Sequence, residues 1–173
     1  MTDNKEEPPV FQSKEEIREL ALLYCRGVDR KDPALLRTLY AEHATDTHGD
    51  TFDGPAEAYV DFLEECFPFI RYSGHHVCNH LISVDGDEAE GEVYALAYHI
   101  IPDGKDGWLE DFMCVRYLDR YRRCKDGRWR FAARLVSYDM RSQRPAPEPD
   151  SAGAVSSSAE KLFFSHSLFA PLA

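Results

Sequence analysis

From Ser73 onward the chain becomes four long stretches rich in β-branched and aromatic residues, 73–84, 88–101, 108–124 and 128–142. They are separated by Asp85-Gly86-Asp87, by Pro102 to Gly107 and by Asp126-Gly127, turn signals that predict antiparallel strands joined by hairpins. No other feature restricts the fold as much. A meander of long strands twists strongly and must bury one face against something else, and the residues before Ser73 supply the helices to cover it.

Those residues read as three amphipathic helices. Ser13 and Glu16 have capping-box spacing, and Ile17, Leu20, Ala21, Tyr24 and Val28 then recur at helical intervals, so a first helix is expected from about Lys14 to about Asp29. Asp32-Pro33 offers a cap and a first-position proline for a second helix carrying Leu35, Leu36, Leu39 and Tyr40. After a polar, β-compatible stretch from Thr45 to Thr51, Gly54-Pro55 opens a third helix with Tyr59, Val60, Leu63, Cys66 and Phe67. The expected fold class is α+β: N-terminal helices packed on a strongly curved antiparallel or mixed sheet, forming a cone with an internal pocket. The expected organisation is a disordered segment 1–12, a cone domain 13–142, and a Pro/Ser-rich extension 143–173 whose apolar end docks on the pocket mouth or a neighbouring subunit.

At 173 residues with 43% hydrophobic content, one core is well supplied. Twenty basic against 31 acidic residues give a net charge of −11, which argues against nucleic acid and against anionic membrane surfaces. Five cysteines without a C-x-x-C pair suit reduced thiols, and the polar, acidic start MTDNKEEPPVF lacks the form of a secretory signal. A soluble, cytoplasmic protein is expected. No Gly-x-Ser-x-Gly elbow, Gly-x-Gly-x-x-Gly or Walker loop occurs, and no cofactor is expected.

Two residues stand out for chemistry. Asp29 closes an otherwise apolar helix, where the dipole opposes its charge and its proton affinity can be raised. His75 opens the first long strand, and a histidine beside a carboxylate is a usual general base near neutral pH. Strict alternation puts His75, Val77, Asn79 and Leu81 on one strand face and His76, Cys78, His80 and Ile82 on the other. His76 and His80 would then lie roughly 13 Å apart at about 3.3 Å per residue, too far to share an ion, so no metal is expected. Tyr24, Tyr40, His48, Tyr94, Trp108 and Tyr117 are polar-tipped aromatics able to line a cavity, with Asn79 beside them. Phe112, Val115, Leu118, Val136 and Tyr138 are candidates for an apolar outer sheet face, through which a homo-oligomer, dimer or trimer, is expected.

The segments YCRGVDRKD (Tyr24 to Asp32), ATDTHGD (Ala44 to Asp50), HHVCNHLISVDGDEA (His75 to Ala89) and RYLDRYRRCKDGRWRF (Arg116 to Phe131) together resemble the SnoaL-like family of the nuclear transport factor 2-like superfamily. The resemblance covers about residues 13–142. It implies the cone fold and, by likeness to scytalone dehydratase, bile-acid 7α-dehydratase and hexachlorocyclohexane dehydrochlorinase, a cofactor-independent lyase or isomerase acting on an apolar oxygenated ring compound. Asp29, His75 and Tyr24 match that pattern's aspartate, histidine and tyrosine. His48 stands near the dehydratases' loop tyrosine, a departure that leaves His48 or Tyr40 for the carbonyl-polarising role. The same fold also serves as a non-catalytic ligand-binding or subunit-interaction module, which is the alternative expectation.

Overall fold

Helix α1 (Val10–Asp29) packs on the sheet and carries Tyr24 and Asp29, around which the interior polar groups are organised. The computed structural model describes residues 9–147. The expectations for residues 1–8 and for the apolar C-terminal end lie outside the described residues.

α1 starts four residues earlier than its capping-box spacing predicts. The backbone N–H groups of Gln12 and Ser13 donate to the Pro9 carbonyl at 2.8 and 3.2 Å. Ser13 is buried in the first turns, and its hydroxyl accepts from Arg123 Nη2 at 2.8 Å, a tertiary partner in place of a local cap. Helical residues 10–12 therefore belong to the folded unit rather than to a disordered lead-in. The corner after α1 follows the sequence: Lys31 takes φ +56°, and Asp32 Oδ1 accepts from Leu35 N at 2.9 Å to cap α2 (Pro33–Leu39). Tyr40, expected on that helix, opens strand β1 (Tyr40–His48) instead. β2 (Phe52–Pro55) and α3 (Ala56–Cys66) follow, then a short 3-10 turn, Phe67–Phe69.

The long strands are β3 (Tyr72–Asp85), β4 (Glu88–Pro102), β5 (Trp108–Arg123) and β6 (Trp129–Ala146). β6 continues through Gln143–Ala146, residues expected in the extension, because Glu110, Leu109 and Trp108 of β5 remain paired with Arg144, Pro145 and Ala146. The sheet has the order β2-β1-β6-β5-β4-β3, with β1 parallel to β6 and every other pair antiparallel. It is a mixed, open sheet, curved around α1, which packs mainly on β3 and also on β6.

Curvature comes with bulges. On β3 the register passes from Val77↔Ala95 to His80↔Val93, so Cys78 and Asn79 together oppose Tyr94. The extra residue reverses the alternation: His80, Ile82 and Val84 turn toward the helices, while Asn79 and Leu81 face solvent. Comparable shifts on β6 fall at Ala132 and Asp139. The inward side chains of β4, β5 and β6, with Ala21 of α1, form an apolar floor of Val93, Ala95, Ala97, Met113, Val115 and Val136, against which Val77 packs. Val115, Val136 and Tyr138, expected on the outer face, turn to the inner one, Tyr138 pairing directly with Val115; the outer face carries Tyr94, Leu96, Leu118, Leu135 and Met140, each partly exposed.

α1 and α2 meet closely at Gly27. A Cβ there would stand 2.7 Å from Leu36 Cδ2, and Leu36 is completely buried and has no solvent to swing into. Gly27→Ala gains about 1 kcal/mol of helix propensity and incurs about 1–3 kcal/mol of overpacking. Net destabilisation of about 1 kcal/mol is expected, read as a lower urea midpoint with unchanged slope; a raised midpoint would show that Leu36 yields.

Candidate functional site

Asp29 is the last residue of α1, and β3 passes its C-terminal end. His75 Nδ1 lies 2.6 Å from Asp29 Oδ1, the backbone N–H of His75 donates to Oδ2 at 2.9 Å, and the Ser73 hydroxyl donates to Oδ1 at 2.8 Å. Burial pushes the Asp29 carboxyl up, but the imidazole bond, the charge of His75, its backbone N–H and the Ser73 hydroxyl outweigh it, and the net displacement is downward. This corrects the expectation of a raised proton affinity: three donors stabilise the anion more than the helix dipole and burial disfavour it. An ionised carboxylate can only accept, so Nδ1 of His75 is the donor, and in the neutral imidazole Nε2 carries the lone pair. The imidazole is 7% exposed, and its ring meets His99 edge-on at 5.1 Å. His99 is pushed down to about 4, first by burial and then by the neighbouring His75, against the pull of Asp111 and Asp29. Asp111, buried, is held by Arg141 through two bonds of 2.8 and 2.6 Å.

Five residues earlier on α1, Tyr24 enters a second cluster. Its hydroxyl is 3.1 Å from the Tyr59 hydroxyl and 3.3 Å from His48 Nε2, and Tyr59 reaches the same nitrogen at 2.9 Å. His48 Nδ1 bonds the completely buried Asp46, whose other oxygen accepts from the Tyr40 hydroxyl at 2.6 Å. Burial raises the Tyr24 phenol well above its ordinary range, with the Asp46 charge adding and Arg134 opposing.

Arg134, on β6, is completely buried. Nε and Nη2 donate to Asp119 Oδ1 and Oδ2, both at 2.8 Å, and the guanidinium carbon lies 4.1, 4.3 and 4.1 Å from the ring centres of Tyr24, Tyr117 and Phe131. Its Nη1 is buried and has no hydrogen-bond partner. Asp119 also accepts from the Tyr121 hydroxyl at 2.8 Å, leaving that oxygen to accept from His80 Nε2 at 3.2 Å.

The sequence-selected residues therefore divide. Asp29 and His75 meet directly; Tyr24, His48 and Tyr40 share one network, and Tyr117 packs beside Tyr24 at the guanidinium. Asn79 is thrown outward by the β3 bulge, and Tyr94 opposes that bulge on the outer face. Trp108, near the end of the β4–β5 hairpin, stacks under Arg71 at 5.8 Å rather than joining either cluster. The bulge also separates His76, which is exposed, from His80, which turns inward, so these two do not share a face as expected. Asp46, Tyr59, His99, Arg134 and Asp119 escaped selection. Parity alone places His99 with Val93, Ala95 and Ala97, and Asp46 with His48; nothing local marks Arg134 as interior in so arginine-rich a segment.

Among the described residues, no group of three or more His, Cys, Asp or Glu side chains is disposed to hold a metal ion, and no helix is long and apolar enough to cross a membrane. The arrangement is that of an α+β cone of the nuclear transport factor 2-like type, with an Asp–His pair where α1 ends against the sheet. The description "SnoaL-like domain" matches residues 10–135, and the chain belongs to that family. No curated protein matches the chain. Among solved structures, a putative scytalone dehydratase from Novosphingobium aromaticivorans is similar at 23% identity, 83% of this chain, 95% of that chain and a TM-score of 0.69. Hexachlorocyclohexane dehydrochlorinase LinA-type3 from Novosphingobium barchaimii is similar at 18%, 81%, 95% and 0.71. ActVI-ORFA from Streptomyces coelicolor is similar at 18%, 74%, 98% and 0.60.

His99 and His80 are both pushed down to about 4, in each case chiefly by burial, from an ordinary value near 6.5. The unfolded chain therefore binds more protons than the fold in this window, and stability that is full above about pH 6.5 falls as pH drops toward 4. Urea midpoints at pH 7, 5.5 and 4.5 are expected to decline in the parent chain and to decline less in His99→Asn and in His80→Asn.

Proposed function

We propose that the protein is a cofactor-independent lyase or isomerase of the dehydratase kind, acting on an apolar oxygenated ring compound such as a steroid, polyketide or aromatic intermediate. The observation that carries this reading is the Asp29–His75 pair, with Nδ1 tied to the carboxylate at 2.6 Å and Nε2 left with a lone pair. In this reading Nε2 takes a proton from a carbon next to a carbonyl, and Asp29 holds the ring's orientation and offsets the charge of the imidazolium. The buried, unpartnered Nη1 of Arg134 supplies positive charge for the enolate oxygen, and the Tyr24 hydroxyl bonds the substrate's oxygen or leaving group. The floor of Val93, Ala95, Ala97, Met113, Val115 and Val136 suits an apolar ring. Two similar structures, a putative scytalone dehydratase and a hexachlorocyclohexane dehydrochlorinase, are named for elimination chemistry, which supports the same class.

Asp29→Asn and His75→Ala are each expected to lower turnover of an identified substrate by roughly 100-fold or more, with the far-ultraviolet circular dichroism spectrum retained. Full turnover in either variant would end the assignment. A ligand bound and recovered unchanged would instead favour the binding-module alternative.

We also infer a homo-oligomer closed through the outer sheet face, on the strength of Tyr94, Leu96, Leu118, Leu135 and Met140 lying partly exposed on it. Light scattering after size exclusion is expected to give a dimer or trimer mass for the parent chain, and Leu118→Glu/Leu135→Glu a monomer mass.

A further inference from the structure

Asp46 and His48 make a second carboxylate–imidazole pair, which proton abstraction by His75 leaves unused. The Asp46 side chain is completely buried and accepts from Tyr40 at 2.6 Å and from His48 Nδ1, which turns His48 Nε2 toward two phenols. The nearer, Tyr59, is 2.9 Å from Nε2 and stacks on the imidazole with ring centres 4.3 Å apart; Tyr24 lies 3.1 Å beyond it. Asp46, His48, Tyr59 and Tyr24 thus form a continuous path along which a proton can pass. Both phenols are held neutral, by burial first, with the Asp46 charge adding at each and the neighbouring phenols adding at Tyr59. A phenol that cannot persist as an anion gives up a proton only as another arrives behind it, and His48 is the group on this path able to supply one.

Tyr24 and Asp29 are five residues apart on α1, roughly 7.5 Å of helix rise, so the two pairs are tethered to one helix. The first holds a base; the second, through Tyr24, is placed to act as an acid. The distinction bears on what the protein can expel. Chloride leaves as a stable anion without a proton, whereas hydroxide at neutral pH needs one in the transition state.

We propose that Asp46–His48 is a second acid–base centre that recharges the Tyr59–Tyr24 phenols, and that the group expelled is therefore a hydroxyl, leaving as water, rather than a halide. The proposal rests on the reading of Asp29–His75 as the base. In the elimination, the C–H bond breaks and its proton goes to His75 Nε2. The electron pair forms the C=C bond, the C–O bond breaks, and the departing oxygen takes the Tyr24 proton. Tyr24 is refilled from Tyr59, and Tyr59 from the imidazolium of His48, which ends neutral. One proton is gained at His75 and one lost at His48, and exchange with solvent restores both. Tyr24 is the catalytic residue of this path; Tyr59 and His48 act through it.

Two probes test the proposal on the full chain: 3-hydroxy-1-tetralone and 3-chloro-1-tetralone, which give 1-naphthol on losing water or hydrogen chloride. Tyr59→Phe keeps the stacked ring and removes the relaying oxygen, and His48→Gln removes the proton source. Each is expected to lower turnover of the hydroxy probe by roughly 100-fold more than that of the chloro probe, whereas His75→Ala lowers both alike. Equal losses on the two probes would overturn the proposal. Nuclear magnetic resonance of ¹⁵N-histidine-labelled protein supplies a readout independent of turnover: neutral His48 is expected to carry its proton on Nδ1, and Asp46→Asn to abolish that preference. A proton on Nε2 of neutral His48 would overturn the second centre even with elimination intact. Failure of the parent chain on both probes, with the Nδ1 proton found as expected, would sink the reading of Asp29–His75 on this substrate class and leave the second centre supported.

Discussion

A buried ion pair holds the interior together. Arg134 and Asp119, on neighbouring strands, are joined by two parallel bonds of 2.8 Å with both side chains completely buried. Taking two such charges out of water costs several kcal/mol per ion, which geometry must offset. Here the guanidinium is bidentate to the carboxylate and enclosed by three aromatic rings at 4.1–4.3 Å, and the Tyr121 hydroxyl donates to one of the same oxygens. The rings come from α1, β5 and β6, so one cation ties the helix to the two strands at the centre of the sheet. A hydrophobic substitute of equal volume could fill the space, but it would not fix Tyr24 by its face, and Tyr24 is one of the two phenols that reach His48.

α1 meets two acid–base groups of different solvation, one through Asp29 and the other through Tyr24. Asp29 sits at the unfavourable end of the helix dipole and is nevertheless displaced toward the anion, because a backbone N–H, a hydroxyl and an imidazole all donate to it. Asp46 is more deeply buried and satisfied by one phenol and one imidazole. Each carboxylate fixes its histidine through Nδ1, leaving each Nε2 facing different company: a lone pair beside the His99 ring at His75, and two phenols at His48. Identical pairs thus acquire opposite roles in the proposed chemistry from their surroundings.

Element types and order were legible because they depend on local chemistry. Asp32 caps a helix and Pro33 starts it wherever that pair occurs, and Gly86 and Gly127 supply the positive φ that tight hairpins require. Asp29 at a helix end and His75 at a strand start were likewise visible as unusual residues in otherwise apolar company. Less was visible where one residue's partner lies far along the chain. Ser13 reads as a cap, but its hydroxyl accepts from Arg123, 110 positions away. Tyr40 reads as the last turn of a helix and instead begins a strand beside β6.

Alternation along β3 marks the boundary between what the sequence and the tertiary structure each decide. The sequence by itself determined that residues 73–84 form a strand, that His75 shares a face with Val77, and that a helix ending near Asp29 precedes it. It could not determine that one extra residue would be accommodated between Val77 and His80, because a bulge is a property of the pairing with β4 and of the curvature needed to wrap α1. That single displacement sends Asn79 to solvent and His80 to Tyr121. Only the closed packing of helix on sheet brought Asp29 to His75 across 46 residues and Tyr24 to His48 across 24. Distances of that kind follow from where strands pair, and no local preference encodes them.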